Sequence, residues 1–234
     1  MSVAFLNTNT MGRSATSPVS AAMSVTASGA DRCAFAVIPY DRNADQSITA
    51  VTYGGQTMTA CGSPVGWGGG GLDARVAVYY LVNPPTGSNT LAITVAGTIT
   101  DIYYNLVAFT GVNQTTPVRA GTYQASNPTS SDSLTITSNT LDLTLTAVNG
   151  SGAGATTSNQ TSDGTNGGGT FSGGSDHATT AASSVTHTYT GLLAASGAIC
   201  GFSISGEPNT APRLNWWGTG GTLLRPLAHS QRMG

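Results

Sequence analysis

Apolar and polar residues alternate with a period of two along much of this chain, whereas a 3.6-residue period does not recur convincingly. Leu141-Asp142-Leu143-Thr144-Leu145-Thr146-Ala147 is the clearest stretch. Its odd positions are apolar and its even ones polar, as in a strand with one face on a core and one in water. Leu91 to Val95 and Leu134 to Thr137 read the same way. Cys33 to Tyr40, Val76 to Val82 and Leu106 to Phe109 are apolar on both faces. They predict central strands covered on both sides, or strands that meet a neighbouring subunit.

Turn residues separate these runs. Ile48 to Tyr53 and Gln56 to Ala60 flank Gly54-Gly55, a pair able to take the positive φ angles of a primed hairpin turn. Asn83-Pro84-Pro85-Thr86-Gly87 ends a strand, because proline cannot donate to a ladder, and Asn113 to Pro117 does the same. Roughly ten strands with short turns predict an all-β fold: a single antiparallel β-sandwich, jelly-roll-like, with extended N- and C-terminal arms.

Two loops stand out. Gly66 to Gly71 sets Trp67 in a glycine run. Residues 149–175, rich in Gly, Ser, Thr and Asn, read as a long excursion, with Ser183 to Thr190 and Gly197 to Ser205 supplying the last strand pair. The expected organisation is an N-terminal arm over 1–16, a sandwich over 17–207 and a C-terminal arm over 208–234. The last arm carries Arg213, Arg225, Arg232 and His229 without an acid, plus Trp216-Trp217 and Leu223-Leu224. A tail of this kind either folds back on its own sandwich or packs on a partner. Trp216, Trp217, Arg213, Leu223, Leu224 and Arg225 are therefore the candidate assembly residues.

Composition sharpens the picture of the surface. There is no lysine and one glutamate, Glu207, and charged residues are 8% of the chain against roughly 25% in ordinary domains. The exterior is therefore expected to be neutral and rich in hydroxyls, and a net charge of −2 gives weak self-repulsion that favours association. Eight scattered arginines form no basic stripe, which argues against nucleic acid as a partner. No apolar run reaches about 18 residues, which argues against a membrane span. The N-terminus shows neither a basic region nor a long apolar one, so general secretory export is not expected. Cys33, Cys61 and Cys200 are odd in number and lack CxxC spacing. They read as buried free thiols in a reducing compartment, with a Cys33–Cys61 bridge left open.

Three stretches in order, Ile48 to Thr59, Val78 to Gly87 and Val107 to Val118, resemble a β-sandwich module of phage virion proteins and of bacterial surface or secreted proteins. The resemblance spans Ser24 to Ser205, implies a jelly-roll-like sandwich and brings no catalytic residues with it. A free-standing copy without an export signal looks more like the virion branch.

Candidate chemistry is sparse. Asp41-Arg42-Asn43-Ala44-Asp45 begins like a calcium loop, but Gln46 and Thr52 replace the glycine and bidentate glutamate such a loop needs. A polar turn is therefore expected, with no metal or cofactor. Asp101, Asp163 and Asp176 could complete such a site only through the fold. Glu207 reads as a solvated charge rather than half of a glycosidase pair, and no GxSxG elbow is present. His177, His187 and His229 have no metal spacing, and His187, on a strand face with Val185 and Tyr189, reads as packing.

The expectation is a non-enzymatic virion structural protein, a capsid decoration or tail-appendage component. It would be assembled in the host cytoplasm, sit at the virion surface and contact its own copies and other virion proteins such as the major capsid protein. The alternative is a receptor- or glycan-binding module of a fibre or adhesin, with Trp67 stacking on a cell-surface glycan.

Overall fold

The computed structural model describes residues 1–42, 47–67, 73–97, 99, 101–126, 131–151, 157–167, 171–192 and 197–206. The described residues form strands and connections. None forms a helix, and so none forms one long and apolar enough to cross a membrane. The strands of the N-terminal half are β1 (Ala4–Thr8), β2 (Gly12–Ser14), β3 (Val19–Val25), β4 (Cys33–Arg42), β5 (Ser47–Tyr53) and β6 (Gln56–Thr57), then β7 (Thr59–Ala60), β8 (Val65–Trp67), β9 (Asp73–Val82), β10 (Gly87–Ala96) and β11 (Ile102–Thr110). Those of the C-terminal half are β12 (Val118–Ser126), β13 (Ser131–Thr137), β14 (Leu143–Ser151), β15 (Thr157–Ser158), β16 (Thr161–Asn166), β17 (Phe171–His177), β18 (Ser184–Thr190) and β19 (Gly197–Ile204).

Every ladder is antiparallel, as the alternation predicts, and the strands fall into four sheets. Sheet I runs β3-β10-β5-β6. Sheet II runs β1-β11-β4-β9-β7, with β2 also on β11 and β8 on β9. Sheet III runs β12-β19-β14-β17-β16 and sheet IV runs β13-β18-β15. Residues of sheets I and II share one apolar core (Ile38, Tyr53, Leu91, Ile93, Leu106), and those of II and III share a second (Phe35, Val78, Phe109, Leu145, Phe202). A third and smaller core (Leu134, Ile136, Val148, Tyr189, Ile199) lies between III and IV. The stack is therefore I, II, III, IV, with II and III inside.

The two halves repeat one topology. In each, a central strand (β4, β14) pairs on one side with the last strand (β11, β19) and on the other with β9 or β17. The outer sheets follow suit, as β3-β10-β5 and β13-β18-β15. The strands expected in one sandwich thus form two, packed back to back through their larger sheets. Sequence alternation cannot reveal this, because a strand of either copy shows the same period. It also explains why Cys33 to Tyr40 is apolar on both faces: alternate residues face sheet I and sheet III.

Other expectations change in detail. Residues 1–16, expected as an arm, lie along β11: Ala4 pairs with Thr110, and Gly12 with Tyr104. Gly54-Gly55 makes the expected hairpin, with φ of 56° and 79°, but the following strand divides, β6 staying in sheet I and β7 joining sheet II. Much of 149–175, expected as a loop, builds β15, β16 and β17. Its glycines hid that role, since glycine is depleted in strands. They are used for close approach: a Cβ on Gly173 would come within 3.0 Å of Pro39 and Tyr103 of sheet II. Leu141 precedes β14 and is exposed, while Thr144 and Thr146, expected in water, are fully buried.

Candidate functional site: titratable side chains between the sheets

The chemistry of the described residues lies inside the stack, and β17 organises much of it. Adjacent strand residues point to opposite faces, so Asp176 faces sheet IV while His177 faces sheet II. On the sheet IV side, Asp176 Oδ1 accepts from His187 Nδ1 at 2.7 Å, from the Tyr189 hydroxyl at 2.9 Å and from the Thr146 hydroxyl. The Thr144 hydroxyl meets His187 Nε2 at 2.7 Å. Asp176 and His187 are both fully buried, and Asp176 Oδ2 has no partner. Burial, then the Asp176 charge, holds the Tyr189 phenol well above its usual range. Sealed from solvent, this network can orient and bind the two sheets together, but it has no face for a substrate.

On the sheet II side, His177 Nδ1 donates to Asp163 Oδ1 at 2.7 Å, and the imidazole stacks on Phe5 with centroids 4.3 Å apart. A bulge between Ser162 and Gly164 in the β16–β17 ladder sets Asp163 in place. Burial raises its carboxyl above the usual range, against the pull of His177. The Asp163 carbonyl accepts from Thr8 Oγ1 and Asn105 Nδ2, both at 2.9 Å, which ties the N-terminal segment to the second sandwich. His177 borders a cleft of about 380 Å³, lined also by Ser2, Phe5, Leu143 and Thr179. This imidazole is held in one orientation beside an apolar wall.

Three further buried carboxylates complete the inventory of the described residues. Asp142 would be raised by burial, but Arg119 Nε at 2.9 Å, the Gly206 N–H at 2.9 Å and Ser203 Oγ at 2.8 Å hold it below its ordinary value. Asp41, at the end of β4, is fully buried beside Asp101, whose carboxylate takes Arg13 Nε at 2.6 Å.

Several residues singled out from sequence fall differently. Trp67 lies in β8 with its backbone paired to Ala74; its side chain lies outside what the structure describes. Trp216, Trp217, Arg213, Leu223, Leu224 and Arg225 are outside the described residues, as are Asn43 and Asp45 of the calcium-like loop and Glu207 and His229. Asp41 and Asp101 are brought together, whereas Asp163 and Asp176 join histidines instead. Sequence reasoning read His187 as packing and missed its Asp176 partner. The available signal was Thr144 and Thr146 alternating beside a histidine and a tyrosine.

The three cysteines are free. Cys33 lies opposite Val82 on one side of β9, and Cys61 bonds Val78 from the other side, so a bridge would have to span a whole strand. Burial pushes all three thiols far up. Among the described residues, no three His, Cys, Asp or Glu side chains gather as a metal-binding group.

Fold and site together define a class: an all-β stack of two like sandwiches in which the described histidines and five of the aspartates are buried. Compared with protein-family models, curated proteins and solved structures, the chain matches none.

Proposed function

We propose that this chain is a non-enzymatic structural protein of a bacteriophage virion, a capsid decoration or tail-appendage component. The observation that carries the reading is the contrast, among the described residues, between buried carboxylates and outer sheet faces of uncharged side chains. The outer face of sheet IV presents Ser131, Ser133, Thr135 and Thr137 opposite Thr190, Thr188, Thr186 and Ser184. The outer face of sheet I presents Ser20, Ala22, Ser24, Thr90 and Thr94. Such faces hydrate well and exert little long-range field, which suits a building block packed among many copies. The buried His–Asp pairs add rigidity rather than an open reaction centre. The resemblance of Ile48 to Thr59, Val78 to Gly87 and Val107 to Val118 to a virion sandwich module points the same way.

Assembly would run through copies of the chain and other virion proteins, with residues 208–234 making the contacts. The test is absolute mass by light scattering after size exclusion, for the full chain and for a chain lacking 208–234. A defined oligomer that falls to a folded monomer on truncation is the expected result. An oligomer of unchanged size removes the tail from the reading.

A further inference from the structure

Sheets II and III meet through apolar side chains over most of their length but through polar groups at one end. Inward positions of β4 alternate as Cys33, Phe35, Val37, Pro39 and Asp41. Those of the equivalent strand β14 run Leu143, Leu145, Ala147 and Asn149. Asp41 and Asn149 thus both point inward near the ends of matching strands, and both are fully buried.

Their oxygens lack donors. Asn149 Nδ2 donates to the carbonyls of Tyr40, at 2.9 Å, and Arg75, at 3.2 Å, which fixes the amide next to Asp41 and leaves Oδ1 unpartnered. Neither carboxylate oxygen of Asp41 has a hydrogen-bond partner, although the Asn149 amide is near enough to lower its pKa. Asp101 is also buried, and its carbonyl accepts the Asp41 N–H at 2.9 Å. Among the described side chains, the guanidinium of Arg13 bears on both carboxylates.

Three buried acceptor oxygens without a donor, beside a second carboxylate, leave negative charge that a dry interior does not tolerate. An all-oxygen donor set suits a hard cation, with water and backbone carbonyls completing the shell of about 6–8 ligands that calcium takes. We propose that Asp41, Asn149 and Asp101 form a binding site for a hard divalent cation, calcium foremost, that ties the two sandwiches together.

The competitor for the site is a proton. Burial and the Asp101 charge push the Asp41 carboxyl up to about 8, against the pull of Asn149 and Arg13. Tyr103, on β11, is pushed up to about 12 by burial and by Asp101 and stays neutral throughout.

The test is calcium titration of the chelator-stripped full chain by calorimetry, with thermal unfolding alongside, at about pH 6 and about pH 8.5. The expected result is saturable binding at the higher pH, with a Kd of about 0.1–1 mM and a raised unfolding midpoint. Asp41→Asn, which keeps the size and removes the charge, should abolish binding. Asn149→Asp, which adds a carboxylate, should tighten it. Absence of heat and of any midpoint shift with calcium, magnesium and manganese at the higher pH overturns the proposal, as does unchanged binding by Asp41→Asn. Should Asp41→Asn fail to fold, an affinity of Asn149→Asp no better than that of the natural chain overturns it.

Discussion

Between sheets I and II, the inward residues of β4 are Ala34, Ala36, Ile38 and Tyr40, and those of β10 are Leu91, Ile93 and Val95. The Tyr53 hydroxyl there is met by the carbonyls of Met23 and Gly87, each at 3.2 Å. Between sheets III and IV, the equivalent strands turn Thr144 and Thr146, and His187 and Tyr189, to the inside. One topology has therefore been filled in two ways, once chiefly with apolar side chains and once with a hydrogen-bonded network beside a smaller apolar core. Apolar burial is non-directional and degrades gradually when atoms are removed. A buried network holds only while its members find their partners, so the second sandwich should be the more brittle.

The largest effect should come from breaking the network at its centre. Asp176→Ala removes the common acceptor of His187, Tyr189 and Thr146, and should cost about 3–5 kcal/mol, because a buried polar group is left without its counterpart. Urea unfolding gives the number. Replacing Asp176 and His187 together with leucine should cost less than the single change, since no stranded partner remains. A single variant within about 1 kcal/mol of the natural chain would show that the network does not hold these sheets, and the contrast between the copies would fail.

A middle-sized effect tests how closely sheet IV approaches. Gly201 of β19 lies under Ile136, and a Cβ there would collide with Ile136 Cδ1 and Thr146 Cγ2. Gly201→Ala should therefore cost about 1–3 kcal/mol by overpacking. Ile136→Val removes the colliding methyl, so the double variant should recover part of that loss in the same melts. Independent, additive losses would mean that the two positions do not share the contact.

Much of this was legible in the chain. The period of two gives the all-β fold, Gly54-Gly55 gives its hairpin, and the doubly apolar run at Cys33 gives a strand covered on both sides. The repeated topology was not legible, because the second sandwich carries Thr144 and Thr146 at inward positions where the first carries Ala and Ile. That sandwich also fills β16 and β17 with residues such as Asp163, Gly164, Gly173 and Gly174, which carry little strand propensity. Alternating threonine reads as a wet face whether water or a second sheet covers it. The pairing of Asp41 with Asn149 is likewise a product of packing, since the two residues are brought together from strands in different sandwiches.

The smallest effect separates the two uses of threonine. Thr135 and Thr186 pair their hydroxyls at 2.8 Å on the outer face of sheet IV, while Thr146 meets Tyr189 at 2.8 Å on the inner face of sheet III. Valine keeps the shape and strand propensity of threonine, so the same replacement isolates the hydroxyl. Thr135→Val should change stability by less than about 0.5 kcal/mol, because water supplies whatever the partner gave. Thr146→Val should cost about 1–3 kcal/mol, because its partners are left in a dry core. Equal losses at the two positions would mean that the exposed ladder is itself structural, and the distinction between a hydrated outer face and a bonded inner one would have to be given up.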